Sequence, residues 1–395
     1  MKPTASRKLS SLPPYLFVQL AAWKAQAEKA GLNVIDLGQG SPDLGSPANV
    51  VEALKRAIDE PWTHRYPPAQ GMPELRRAIA GWYKTRFSVE LDPDAQVLPL
   101  IGSKEGLAHL LMAVLDPGQG VLVPNPCYPV HYNGPILAGG KAHLMPLHVE
   151  NGFLPDLRKI TAAQAKSSKV MILNYPNNPT GAVLESNLLL EDALSFSKKH
   201  GGLVAYDNAY SELTFDGYRA PSILQIKGAI DHAVEFHSFS KTYSMAGWRI
   251  GWVVGNADAI ATLGKFKGFL DYGIPTFVQK AAIEAITGPQ DYVANARETY
   301  QRRRDAFVKA LAAVGWDVPV PRATMYVWAP LPKKAAKMGT LKFAERLILE
   351  HGVVTAPGVG FGPHGEGYIR MSLIASEDKL TEAATRIGHF INKKK

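Results

Sequence analysis

Cysteine is almost absent. Cys127 stands alone in a chain of 395 residues, so no intrachain disulfide can form, and a reducing compartment, the cytoplasm, is expected. Long apolar runs are absent as well. Nothing approaches the roughly 20 residues needed to cross a bilayer, and no apolar signal-peptide core follows the charged start, so no membrane partner is expected. The chain has no internal repeat and no low-complexity segment. Clustered positive charge is scarce despite a net charge of +9. Only the arginines at 302–304 and the lysines at 393–395 stand together. The first run falls in a helical pattern and the second reads as a frayed tail, so both are read as solvated surface and no nucleic-acid partner is expected. The positive balance favours small anionic ligands instead.

What is present is a long, ordinary globular chain. Its length suggests two domains. Short apolar runs at 96–100, 121–123, 142–147, 170–173, 203–206, 233–237 and 250–254 are candidate strands, several of them apolar on both faces. They alternate with helical patterns such as 184–199. That alternation predicts an α/β fold, a mostly parallel seven-stranded sheet covered by helices, with ligands bound beyond the carboxyl ends of the strands. After a break at Gly288-Pro289, an amphipathic helix over 291–314, strands at 325–329 and 368–372 and a helix over 341–351 read as a smaller α+β unit. The expected division is 1–45 as N-terminal arm and part of the small domain, 46–287 as the large domain, and 288–395 as the small C-terminal domain.

The strand ends carry the chemistry. Between 236 and 255 lies Lys241, preceded by Ser238 and Ser240 and followed by Arg249. A cationic neighbour helps keep an amine unprotonated and nucleophilic, and two hydroxyls with a guanidinium make a phosphate-binding set. Phosphate beside such an amine points to pyridoxal 5′-phosphate. Ser103 and Lys104 open a helix after the strand at 96–100, where free amides and the helix dipole favour an anion. Tyr128, after Asn125-Pro126-Cys127, offers a flat face for a ring, and Asn178 a neutral hydrogen-bonding group. Asp207 closes an apolar strand, where a carboxylate needs a partner, and Tyr210 follows it. Gly38 and Gly40 sit in a turn that lets backbone approach a ligand. Tyr15 lies on an arm over 11–17 that two prolines keep out of helix. Taken singly, Tyr15 reads as a packing residue, Tyr66 before Pro67-Pro68 as a rigid loop residue, Ser103 as a helix cap and Arg370 as a surface pair.

Taken together, in this order and spacing, these motifs resemble the class I/II aminotransferases, the fold-type I pyridoxal-phosphate enzymes, over almost the whole chain. The segment Ala246-Gly247-Trp248-Arg249-Ile250-Gly251 after Lys241 carries much of the likeness. The resemblance implies an aminotransferase that moves an amino group from an L-amino acid to a 2-oxo acid in a ping-pong cycle. It implies Lys241 as the covalent anchor and proton carrier, Asp207 against the ring nitrogen, Tyr210 and Asn178 at the phenolic oxygen, and Tyr128 on the ring face. The phosphate falls to Ser103, Lys104, Ser238, Ser240 and Arg249, joined by Tyr66 from a neighbouring subunit, so a homodimer is implied. Arg370 would hold the substrate carboxylate, with Gly40 and Asn178 beside it and Tyr15 closing over. The subgroup it looks most like contains the alanine and LL-diaminopimelate aminotransferases, with 2-oxoglutarate or glutamate as co-substrate. Ala69 replaces the loop glutamate of the plant-type enzymes, and no second arginine is evident for a side-chain carboxylate, which weakens an aspartate aminotransferase. A carbon–sulfur β-lyase of the same fold remains an alternative. A transcription regulator with an appended aminotransferase domain is not favoured, since fewer than 40 residues precede the strand before Gly38.

Overall fold

The computed structural model describes residues 4–13 and 15–393; Pro14 of the arm and Lys394 and Lys395 of the terminal run lie outside them. In chain order the strands are β1 (Ile35–Asp36), β2 (Val97–Leu100), β3 (Gly120–Asn125), β4 (Lys141–Pro146), β5 (Ser168–Asn174), β6 (Leu203–Asp207), β7 (Ala233–Ser238), β8 (Gly251–Gly255), β9 (Tyr326–Pro330), β10 (Val353–Val354), β11 (Ala356–Pro357) and β12 (Tyr368–Ser372).

Seven of them form one sheet in the order β2-β8-β7-β6-β5-β3-β4. Its neighbours run parallel from β7 to β4, and β8 is antiparallel to both β7 and β2. The reason is visible along β5. Val170 and Ile172 pack on one face with Leu107, Leu111, Val234 and Phe236. Met171 and Leu173 pack on the other with Ile79, Tyr83, Leu190 and Trp252. Alternate side chains of a strand point to opposite faces, so an all-apolar strand demands helices on both sides. The carboxyl ends of β5, β6 and β7 therefore finish at one edge, carrying Asn174, Asp207 and Ser238.

A second core lies around the antiparallel sheet β11-β12-β9, where Tyr326, Val327, Ile369 and Met371 meet Phe307, Leu311, Phe343, Leu347 and Ile387. Val293, Ala296, Tyr300, Phe307 and Leu311, spaced for one helical face, are buried in the helix Asp291–Ala313, together with Arg303 and Arg304. The segment after β1 is stitched between the two sheets of this region: the Leu37 amide donates to Val354, and its carbonyl accepts from Ser372. Gly38 and Gly40 are thereby delivered to the edge where β6 and β7 end.

Three expectations need correction. Arg303 and Arg304 are not solvated but buried, because each finds a forked carboxylate: Asp43 at 2.7 and 2.8 Å for Arg303, Asp216 at 2.5 and 3.0 Å for Arg304. The helix expected from 184 begins at Leu188, since the Leu184 amide and carbonyl are both engaged by the Tyr218 hydroxyl at 3.2 and 3.0 Å. The arm ends earlier than its prolines suggest, for Leu16 and Phe17 already belong to the helix Leu16–Lys29. Among the described residues no helix is long and apolar enough to cross a membrane.

Candidate active site

The strand ends open on a cavity of about 370 Å³, lined by every candidate site residue named above except Tyr66 and Gly38. Lys241 sits in the single turn Phe239–Thr242 that follows β7. Its Nζ donates to the Gly40 carbonyl and lies 6.0 Å from the centre of the Tyr210 ring. Burial pushes its pKa below the usual lysine value, and the charges of Arg370 and Arg249 push the same way, against Tyr326 and Asp207. An amine so placed spends more of its time as the free base, the form that attacks a carbonyl or accepts a proton.

One end of the cavity is built for an anion. Gly102 leads into the helix Ser103–Val114 with φ +89°, and a Cβ there would lie 2.5 Å from Arg249 Nη2, so only glycine lets the guanidinium approach the helix start. Arg249 itself holds φ +56°, the kind of backbone cost tolerated where neighbours dictate the geometry. Glu105 takes up the Ile101 amide at 2.9 Å. The amides of the first helical turn face the same space as Arg249 and the hydroxyls of Ser238 and Ser240.

The cavity wall also carries Asp207, which closes β6. Its Oδ2 is 2.9 Å from Nε2 of the fully buried His131. Its Oδ1 is buried and has no partner among the described residues. An unsatisfied carboxylate oxygen in such surroundings costs stability unless a cationic or N–H group completes it. Tyr128, half-buried, flanks His131 edge to face at 5.9 Å.

Arg370, on the central strand β12, is 2% exposed. Its Nη1 donates to Asn178 Oδ1 at 3.0 Å and its Nη2 to the Gly38 carbonyl at 2.8 Å, while Nε has no partner among the described residues. The guanidinium lies between the rings of Tyr326 and Phe361, 4.2 and 4.7 Å from their centres. No carboxylate pairs with it among the described residues. A buried cation without an anion is costly, and a bound carboxylate would supply the missing charge. Arg370→Lys is expected to raise KM for amino donors by about 10- to 100-fold, because the forked geometry is lost while the charge stays; steady-state kinetics with several donors checks it.

Lys104 occupies the mouth, its amine 5.9 Å from the Tyr15 ring centre and 5.8 Å from that of Tyr128. Burial against these rings, and then Arg249, hold its pKa below the ordinary lysine value. Tyr15 is half exposed there and tilts against Phe17. Tyr66 does not reach the cavity of its own chain: it is 89% exposed and rests edge-on against Tyr272.

Sequence reasoning missed His131, Phe361 and Tyr326 as site residues. His131 could have been suspected only as a candidate partner for Asp207, since 76 positions separate the two. Tyr326 was read only as part of the strand expected at 325–329.

A family model described as aminotransferase class I and II matches residues 33–387. This chain belongs to that family. Among curated relatives, it is 49% identical over 382 residues to the LL-diaminopimelate aminotransferase of Desulforudis audaxviator, covering 97% of this chain and 96% of that one. It is 43% identical over 376 residues to the glutamate-pyruvate aminotransferase AlaC of Escherichia coli, covering 95% and 91%. Among solved structures, substrate-bound BacF from Bacillus subtilis superposes with a TM-score of 0.94 at 35% identity over 98% of each chain. The fold is thus fold type I, and the enzyme is a pyridoxal-phosphate-dependent transaminase. The residues present fit that cofactor: an acid-shifted amine, an anion cradle that a Cβ at Gly102 would fill, and a lone Oδ1 of Asp207 able to receive a ring N–H.

Proposed function

We propose that this aminotransferase takes the amino group of LL-diaminopimelate and passes it to 2-oxoglutarate in a ping-pong cycle. The buried, anion-free guanidinium of Arg370 carries the reading, because both substrates present a carboxylate beside the reacting carbon. Lys104 supports the rest. It is a second cation on the same cavity, and both substrates carry a second carboxylate. Lys104→Gln is expected to raise KM for 2-oxoglutarate about tenfold and for pyruvate less than twofold, measured with one common donor.

When bound, the cofactor supplies an electron sink for charge that develops at the substrate α-carbon. Ser103, Lys104, Ser238, Ser240 and Arg249 hold its phosphate, and Tyr128 covers its ring. Asp207 Oδ1 accepts the ring N–H and stabilises positive charge there, with His131 holding the carboxylate in place. Tyr210 and Asn178 serve the phenolic oxygen. Lys241 Nζ is the amine that would hold the cofactor, and as the free base it would take and return the substrate α-proton. Arg370 fixes the substrate carboxylate, Gly40 contributes backbone beside it, and Tyr15 closes the mouth against water.

The assembly in this reading is a homodimer in which Tyr66 reaches the partner's phosphate site. Support comes from an apolar face with Tyr66, Phe269 and Leu270 exposed at 89%, 86% and 58%. A sedimentation mass of one 42.9 kDa chain would remove Tyr66 from the site. Residues 46–287 are proposed as the cofactor-holding domain, with 1–45 and 288–395 as the other, joined by the pairing of Ile35 with Val353. Cytoplasmic residence belongs to the same proposal.

A second donor, alanine, is favoured by the likeness to AlaC and by Ala69, which offers no charge to a distal ammonium. Initial rates with LL-diaminopimelate and with alanine, each against 2-oxoglutarate, decide between them: a higher kcat/KM for alanine would overturn the first reading. Pyruvate and ammonia released from cystathionine without an oxo acid would instead mark a β-lyase.

A further inference from the structure

Tyr326 is fully buried at the heart of the cavity and has no task in the scheme above. Its hydroxyl lies 2.9 Å from that of Tyr210. Its ring lies under the Arg370 guanidinium, 4.2 Å from the charge centre. A Cβ on Gly40 would come within 2.1 Å of the hydroxyl oxygen, so the position of Tyr326 is what requires glycine there. The residue is held rigidly on β9, paired in register with Ser372 of β12, and its amide is taken up by Thr324 Oγ1 at 3.2 Å.

The hydrogen-bond valences assign a direction to the Tyr210–Tyr326 contact. A phenol has one proton and two acceptor lone pairs. Asn178 Nδ2 already donates to the Tyr210 oxygen at 3.3 Å. If Tyr210 gives its own proton to the ring's phenolic oxygen, its second lone pair is left for Tyr326 to fill. Asn178 in turn accepts from Arg370, and Arg370 lies on the Tyr326 ring. Arg370, Asn178, Tyr210 and Tyr326 thus close a loop that joins the carboxylate grip to the phenolic oxygen. The electrostatics agree. Burial opposes ionisation of Tyr326, but Lys241, Arg370 and the bond to Tyr210 hold its pKa below the usual tyrosine value, whereas burial and Tyr326 push Tyr210 well above it. The more acidic phenol is the better donor. Other ionisable groups around the pair are Tyr128 beside Tyr210 and Asp207 and Arg249 beside Lys241.

Resting on the cofactor arrangement proposed above, we infer that Tyr326 is a positioning residue with two separable actions. Its hydroxyl donates to Tyr210 and strengthens the proton Tyr210 offers the phenolic oxygen, and its ring face holds the Arg370 guanidinium flat for the substrate carboxylate.

The test compares wild-type holoenzyme with Tyr326→Phe and Tyr326→Leu, following the pH titration of the bound cofactor's visible absorbance and KM for the amino donor. With a weaker donor at Tyr210, the phenolic oxygen keeps more negative charge and holds the proton it shares with Lys241 Nζ more tightly. Tyr326→Phe keeps the ring and is expected to move the midpoint upward by about half a pH unit, with KM changed less than about twofold. Tyr326→Leu is expected to show the same shift and a KM raised about tenfold, since the cationic face-on contact is also gone. A midpoint in Tyr326→Phe equal to or below the wild-type value overturns the hydroxyl's role. A KM in Tyr326→Leu equal to that of Tyr326→Phe overturns the ring's role. Wild-type protein without any cofactor absorbance would mark a failure of the underlying cofactor reading and would be seen before either variant is compared.

Discussion

Lys241→Ala is expected to lower turnover by roughly 10⁴-fold or more and to abolish the covalent cofactor's absorbance, while melting temperature and far-ultraviolet circular dichroism show a folded protein. Two contributions disappear together. The first is the covalent attachment. The second is the proton transfer at the α-carbon, worth about 10²–10⁴-fold by itself. The fold should tolerate the change because, among the described residues, the Lys241 side chain makes one hydrogen bond, to Gly40, and its turn is held by others: Ser238 Oγ receives the Ser240 amide at 3.2 Å, and Phe239 packs against Trp252. Turnover within tenfold of wild type would show that another group performs the chemistry.

Asp207→Ala is expected to cost on the order of 10³-fold in kcat, the scale seen when one preorganised charge is removed from a developing ionic centre. Cofactor should still bind, since the phosphate cradle is built from other residues, Ser103, Ser238, Ser240 and Arg249. The structure adds a control. His131→Ala removes only the group that orients the carboxylate through Oδ2, so its loss should be well below that of Asp207→Ala. Equal losses in the two variants, or a near-normal rate in Asp207→Ala, would argue against direct support of the ring nitrogen by Asp207.

The architecture was legible where local rules are strong. Strand ends came out within a few residues, because runs such as Val170–Leu173 are apolar on both faces, a pattern suited to the middle of a covered parallel sheet. The helix start was wrong at 184 because two backbone bonds to a tyrosine 34 positions away outbid helical periodicity. Arg303 and Arg304 were misread for a similar reason, whereas Arg302 is exposed as expected. Helical spacing showed that all three share a helix, but the acidic partners of Arg303 and Arg304 lie 260 and 88 positions away.

Glu235 illustrates the division. Its place inside an apolar strand was plain, yet its viability depends on five donors, four brought from three other parts of the chain and one from its own strand: Tyr83, Asn208, Ser222, the Ile223 amide and His237. By itself the sequence determined the alternation of strands and helices, the amine with its phosphate-binding neighbours, and the family, since these reside in contiguous residues and in spacing along one chain. Only the tertiary structure decided that Asp207 is oriented by His131, that Arg370 is buried between two aromatic rings with no carboxylate partner among the described residues, and that Tyr326 fills the gap between Gly40 and Tyr210. Each of those depends on burial and on contacts between distant segments, which are properties of the packed molecule and have no local signature.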